Sequence, residues 1–304
     1  MLRLPRFALC AAVFVTGADP LAAMQAPRIQ LTLIDTAVLA APRLDESSGV
    51  APSKRRGVYW THNDSGDGPY IYATDTAGRD LGAIRVAGAR NVDWEDMARA
   101  PCPAAPGVCL FMGDIGDNHS RRPFIQVYVV PEPDPPLAAA DTMRSVTPVD
   151  SIRLRYPDHP HNAESLVITH GGRLLIITKD LFEPARVFSA PLTGHGAEPV
   201  TLTPLCTLNI KISAPRGRIV TGATLSPDGR WLVARTYISL HVFALDAACT
   251  PLLPERGVPI PVVEAQGEGI AFEDGHRLVL TSERGENGHH AILSRLRIDG
   301  LPDR

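Results

Sequence analysis

Five segments share one short pattern, a polar or acidic start leading into an apolar run: DESSGVA, WEDMARA, AESLVIT, TGATLSP and GEGIAFE. With Glu46, Glu95, Glu164, Gly222 and Glu268 as the common position, the spacings are 49, 69, 58 and 46 residues. Each segment is followed by a turn, an apolar strand, a polar loop and a second strand rich in Val, Phe or Tyr. A period of roughly 40 to 50 residues with about four short strands is the sequence form of a propeller blade. One such sheet cannot bury both faces, whereas a ring of them packs face to face and leaves only short edges open. The longest spacing contains PEPDPPLAAADTMRSVTPVD, which reads as a loop insertion.

The rest of the chain agrees. There are 28 prolines and 25 glycines, and few stretches hold a helical apolar period for three turns. Short runs such as GVYWTH, VCLFMG, RLLIITK and HRLVLTS alternate with turn residues. The expected fold is all-β: a single β-propeller of five four-stranded blades, with six the alternative if a long repeat hides a degenerate blade. A β-sandwich with a second domain is the competing architecture. The last repeat runs out one strand short after AILSRLRIDG, and RIQLTLID near the start supplies a strand to complete it.

Residues 1–23 stand apart. Arg3 and Arg6, an apolar run from Phe7 to Val15 and small residues ending at Ala22–Ala23 have the layout of a secretory signal peptide. That run is too short to span a bilayer, and no later stretch is long enough. The propeller domain is therefore expected over 24–304, exported to the periplasm or outside the cell, without a membrane span and as a monomer. Cys10 belongs to the leader. The remaining four cysteines suggest disulfides in an oxidising compartment, Cys102 with Cys109 and Cys206 with Cys249. A net charge of −3 without dense Lys/Arg runs gives no reason to expect a nucleic-acid partner.

In a blade, the innermost strand starts on the face where the second strand ends, so the acidic starts and the loops after the second strands gather at one channel mouth. Those loops read NDSGDG, GDIGDN, TKDLFE, RTYISL and ERGENG. Three carry acid-x-Gly-acid: Asp64/Asp67, Asp114/Asp117 and Glu283/Glu286. Gly66, Gly116 and Gly285 permit positive φ, which would turn both carboxylates to one side. Turn-forming is the alternative role for each motif taken singly. With Glu46, Glu95, Glu164 and Glu268, and with Asn118 adding an amide oxygen, they form a hard-oxygen set. Such a set suits Ca²⁺, and Mg²⁺ or Mn²⁺ less well. Bracing of neighbouring blades is the alternative role for the glutamates. Lys179 and Arg235 stand in the two loops without the acidic motif. They either hold the anionic group of a small substrate or pair with surplus carboxylates, with Glu95 the candidate base. His159 and His161, just before Glu164, are candidate ligands or parts of an exposed turn. No G-x-S-x-G, H-E-x-x-H, Walker loop or G-x-G-x-x-G is present.

At NDSGDGPYIYATDTAG, NVDWEDMA, GDIGDN, NAESL and QGEGIAFEDG the chain resembles exported bacterial β-propeller proteins grouped with the phytase-like propellers. Propeller phytases bind several Ca²⁺ through channel carboxylates, hold phosphates with Lys and Arg, and use a metal-activated water. The resemblance implies such roles for Asp64, Asp114, Glu164, Glu268, Lys179 and Arg235, and implies hydrolysis of an anionic ester, phosphoester first. Five repeats depart from the six blades of the phytases. Propeller lactonases, with channel Glu, Asn and Asp around one divalent metal, make a lactone the second candidate. A non-catalytic, calcium-stabilised binding propeller is the alternative.

Overall fold

The computed structural model describes residues 28–139, 144–252, 257–285 and 289–302. The proposed leader and Glu286 lie outside them. The first strand, β1 (Gln30–Val38), precedes blade I, which comprises β2 (Ser47–Pro52), β3 (Val58–Asn63), β4 (Tyr70–Asp75) and β5 (Asp80–Val86). Blade II contains β6 (Trp94–Pro101), β7 (Val108–Asp114) and β8 (Ile125–Pro131). After the two-residue strand β9 (Ser145–Val146) it is completed by β10 (Asp150–Arg155). Blade III is β11 (Ala163–Ile168), β12 (Arg173–Thr178), β13 (Ala185–Pro191) and β15 (Thr203–Leu208); between β13 and β15 the chain forms the two-residue strand β14 (Val200–Thr201). Blade IV is β16 (Val220–Leu225), β17 (Trp231–Thr236), β18 (Ser239–Ala244) and β19 (Val258–Pro259). Blade V is β20 (Gln266–Asp274), β21 (Arg277–Glu283) and β22 (Ile292–Asp299), with β1 as its outer strand. The fold is a five-bladed β-propeller. Among the described residues the one helical element is the turn Pro215–Gly217.

Closure follows the expected route. β1 pairs antiparallel with β22 from Gln30↔Asp299 to Val38↔Ile292, so one blade is built from both ends of the chain. Two blades exceed four strands. β9, from the 69-residue repeat, pairs in parallel with β5 of blade I, and β14, from the segment between β13 and β15, pairs in parallel with β10 of blade II. Each covers an outer edge that would otherwise expose unpaired backbone groups.

The core is five interfaces rather than one centre. Alternation along a strand sends neighbours to opposite faces. Thus Leu110 and Met112 of β7 pack with Trp60, Ile71 and Trp94 towards blade I, while Cys109 and Phe111 pack with Leu166, Ile176 and Phe188 towards blade III. Three further clusters fill the remaining gaps between blades. Around the axis the inner strands touch. A Cβ on Gly222 would lie 2.3 Å from the Glu268 carbonyl, and one on Gly269 would lie 2.6 Å from that of Ser48. In the same layer, buried Asp96 accepts the amide N–H of Leu166 at 2.8 Å and is bonded by that of Ala223, tying blade II to blades III and IV. The channel is thus narrow at mid-height, with two separate mouths.

Both expected disulfides form. Cys102–Cys109 staples the β6–β7 hairpin, and Cys206–Cys249 joins blade III to blade IV. The chain-entropy relation assigns about 4 kcal/mol to the second loop and about 2.4 kcal/mol to the first. A denaturant titration of C206S/C249S is therefore expected to show the larger midpoint loss of the two double variants. Equal losses would contradict this ordering.

Candidate functional site

Strand register decides which side chains reach the axis. Near the mouth the inner and second strands meet in equivalent pairs, each followed by a register shift: Ser47↔Asn63, Trp94↔Asp114, Ala163↔Thr178, Val220↔Thr236 and Gly267↔Ser282. Just beyond each pair the inner strand carries an irregularity, which turns the next residue out of the ladder. That position is Ser48, Glu95, Glu164, Thr221 and Glu268. The residue after the second-strand member of each pair forms another ring: Asp64, Ile115, Lys179, Tyr237 and Glu283, the last still paired with Gln266 at the end of β21. Two rings of five therefore define the mouth.

This register corrects the alignment of the repeats. Glu46 is equivalent to Asp93, not to Glu95, and blade IV contributes Thr221 rather than Gly222. The two-residue offset in blade I preserves the face, so the sequence pattern alone cannot reveal it. Ser48 and Thr221 brace the ring: Ser48 Oγ donates to Glu95 O at 2.6 Å and Thr221 Oγ1 to Gly267 O at 2.7 Å, each in the next blade. In the other three blades the same position is a buried glutamate.

The acids form two halves. Asp64, Asp93 and Glu95 each offer an oxygen, and these atoms lie within 4.8 Å of one another. Asp64 Oδ1 is buried without a hydrogen-bond partner. Burial, with Asp93, Glu164 and Glu283 close by, pushes the Asp64 carboxyl up to about 9. Burial also raises Glu95, with Glu164, Asp64 and Asp93 adding to the effect. Across the pocket, Lys179 Nζ lies 2.9 Å from Glu164 Oε1. Both carboxylate oxygens of Glu268 are buried and unpartnered. Burial would lower Lys179, but Glu164 and Glu268 outweigh it and hold the ammonium charged. Glu164 links the halves, taking a hydrogen bond from the Glu95 carboxyl while pairing with Lys179. Tyr237 stands over Lys179, with Arg216 stacked 4.6 Å from its ring centroid. Glu283, bonded by Gln266 Nε2 at 2.7 Å, is pushed by burial and by Glu46 up to about 7.

Not every expected residue joins them. Glu46 is exposed at the rim. Asp67 is bonded by Arg43, Asn63 and Tyr72, which hold its carboxyl below the usual range despite burial. Asp114 occupies the position of Asn63, one residue short of the ring. Like Asn63 it clamps the approach to the inner strand, accepting Asp93 N–H at 3.1 Å and pairing with Arg122 at 2.9 Å. Asp117 accepts Arg122 N–H, and exposed Asn118 accepts from Asn162, so both serve loop structure.

Arg235, expected beside Lys179, is instead fully buried between blades IV and V. It pairs with Glu264 and donates to the carbonyls of Gly269 and Thr281. The ring residue of blade IV is Tyr237, two positions later. His161 belongs to a separate cluster with Asp158 and His159, in which Arg186 Nη1 lies 2.7 Å from Asp158 Oδ2 and 3.2 Å from His161 Nε2. His289 and His290 are exposed.

Of the three motif glycines only Gly66 has positive φ, at 77°. Gly116 is needed for space: a Cβ there would lie 2.3 Å from Glu95 Oε1 and 2.5 Å from Asp93 Cγ. Those neighbours are side-chain ends, so Gly116→Ala is expected to fold while displacing two of the three clustered acids. Calorimetric titration with Ca²⁺ should show at least a tenfold loss of affinity, and unchanged affinity would exclude this placement. Asp93 and Tyr237 were missed by sequence reading. Asp93 was legible only as the first member of the spaced acidic pair in VDWE, matching Glu46.

A cavity of 660 Å³ opens at the opposite mouth, lined by the far ends of the inner strands, including Pro52, Ile168, Leu225 and Phe272. Among the described residues its lining contains no Asp or Glu, in contrast to the acidic mouth.

No family model and no curated protein sequence matches the chain. Among solved structures it is similar to the PQQ-bound form of an aldose sugar dehydrogenase from Streptomyces coelicolor. That match has 14% identity and a TM-score of 0.46, covering 90% of this chain and 100% of the other. It is also similar to a putative gluconolactonase, with 13% identity and a TM-score of 0.42, covering 88% of this chain and 94% of the other.

Proposed function

We propose that this protein is a divalent-cation-dependent hydrolase of small anionic esters, acting at the acidic mouth of its channel, with phosphoesters its first substrate class and lactones its second. The observation that carries this is the convergence of Asp64, Asp93 and Glu95 from two blades, with an oxygen of Asp64 left buried and unpartnered. Carboxylates this close and this buried repel one another unless protons or a cation compensate. An all-oxygen donor set fits Ca²⁺ first and Mg²⁺ or Mn²⁺ after it. Bound there, such an ion supplies Lewis-acid polarisation and activation of water.

The chain's own groups do the rest. Lys179 faces the anionic part of the substrate from blade III, and the Tyr237 hydroxyl beside it orients that group. Glu283, with a carboxyl near neutrality, is suited to accept or deliver a proton at neutral pH. Export and the two disulfides fit a site loaded from a calcium-containing medium.

A second reading is favoured by the bracing pattern. Glu95 and Glu268 lie in the ring in which Ser48 and Thr221 bond the next blade, so an ion there would also serve a non-catalytic, calcium-stabilised binding propeller. One experiment separates the two: elemental analysis of the protein as purified, then a panel of phosphoesters and lactones with and without chelator. Bound metal with chelator-sensitive turnover is expected, and Asp93→Asn should weaken Ca²⁺ binding by at least 100-fold. Bound metal with no turnover would leave the binding propeller, and no bound metal would overturn both.

A further inference from the structure

We propose that Lys179 is a built-in second cation: the mouth is a two-cation centre in which the chain's own ammonium stands where a second divalent ion would otherwise bind. The inference rests on the metal-site reading above and adds its stoichiometry and its asymmetry.

Ring position is the first argument. Lys179 occupies the place held by carboxylates in blade I (Asp64) and blade V (Glu283), so blade III inserts a positive charge into a ring otherwise rich in acids. Its surroundings are the second. The ammonium lies 2.9 Å from Glu164 Oε1 and interacts with Glu268. Glu268 is itself 1% exposed, and no hydrogen bond reaches either of its carboxylate oxygens. A buried carboxylate left without donors is placed for a cation rather than for a structural bond. Glu164, touched by Glu95 on one side and Lys179 on the other, takes the place of a carboxylate shared between two cations.

The third argument is charge. Among the described residues Lys179 is the cation paired directly with this set of Asp64, Asp93, Glu95, Glu164, Glu268 and Glu283, because Arg122 is paired with Asp114, Arg216 is stacked on Tyr237, and Arg235, which also acts on Glu268, is paired with Glu264. One divalent ion on the triad plus one ammonium opposes these charges from both sides of Glu164. The resulting clamp is asymmetric: the ion polarises from blades I and II, and a fixed N–H donor holds the anionic group from blade III. Two-metal sites achieve the same with two ions.

The test counts ions by elemental analysis and by calorimetric titration with Ca²⁺ alone. Wild-type protein is expected to bind one Ca²⁺ per chain at this mouth. Lys179→Met keeps the side-chain stem and vacates the ammonium, so this variant should bind two, and K179M/E268Q should return to one. One ion in K179M, or two in the wild type, would overturn the inference while leaving the metal-site reading intact. No ion in the wild type would overturn that reading as well. Should K179M fail to fold, the wild-type background decides: Glu268→Gln should keep its ion within about threefold in affinity, whereas Asp93→Asn should lose it by at least 100-fold. Equal losses in those two variants would overturn the division into halves.

Discussion

Removing divalent cations with chelator is expected to lower the melting temperature by about 10 °C at pH 8 and by much less at pH 5. Burial and neighbouring carboxylates raise Asp64 to about 9, far above its unfolded value of 3.8, and raise Glu95 and Glu268 in the same direction. Between these limits the folded, ion-free chain retains protons that the unfolded chain has released. Stability contributed by such a group is complete below its unfolded pKa and is lost as pH rises through its folded pKa. Each proton so retained gives a slope of about 1.4 kcal/mol per pH unit. A bound ion replaces the protons, so saturating Ca²⁺ should flatten the profile. Calcium at about 1,000 times its Kd contributes about 4 kcal/mol, and a domain of this size shifts by about 2–4 °C per kcal/mol. Thermal scans from pH 5 to 9, with chelator and with Ca²⁺, measure this directly. A chelated protein that grows more stable towards pH 9 would refute the crowding of these acids.

Replacing Arg235 with methionine is expected to cost about 3–5 kcal/mol, because it leaves the Glu264 carboxylate buried without its partner. Three contacts disappear at once: the pair with Glu264 and the bonds to the carbonyls of Gly269 and Thr281. Removing both charges should behave differently. Glu264 Oε1 and Arg235 Nε have no hydrogen-bond partners, and burial pushes the Glu264 carboxyl up despite the guanidinium beside it. The pair is therefore only partly compensated for desolvation, and R235M/E264L should recover most of the loss. Denaturant midpoints of the single and double variants read this out. A near-neutral R235M would show that the guanidinium is not locked between blades IV and V.

The same residue shows how far the sequence could be read. Arg235 lies in RTYISL, the blade IV counterpart of TKDLFE, and matching the two loops by their first basic residue pairs Arg235 with Lys179. Backbone pairing instead sets Arg235 opposite Gly222 within the sheet, and the residue matching Lys179 is Tyr237. Asp114 and Asp64 look like copies in GDIGDN and NDSGDG, yet they differ by one position, which turns one to the loop clamp and the other to the axis. Glu95, Glu164 and Glu268 were legible because each follows a small or aromatic residue and starts an apolar run.

Composition, turn spacing and the repeated acid-then-strand pattern were enough to point to a propeller closed by the first strand, five-bladed by the repeat count with six as the alternative, and to place carboxylates at one mouth. Those properties are local and periodic, so they survive without knowledge of which strand pairs with which. The choice among the carboxylates was made only by tertiary structure. Side chains alternate faces at every residue, and each inner strand is irregular where it meets the axis, so a shift of one or two positions decides between a ligand, a clamp and a solvated surface group. That shift is set by hydrogen bonding between strands and by contact between blades, which no single segment of the chain encodes.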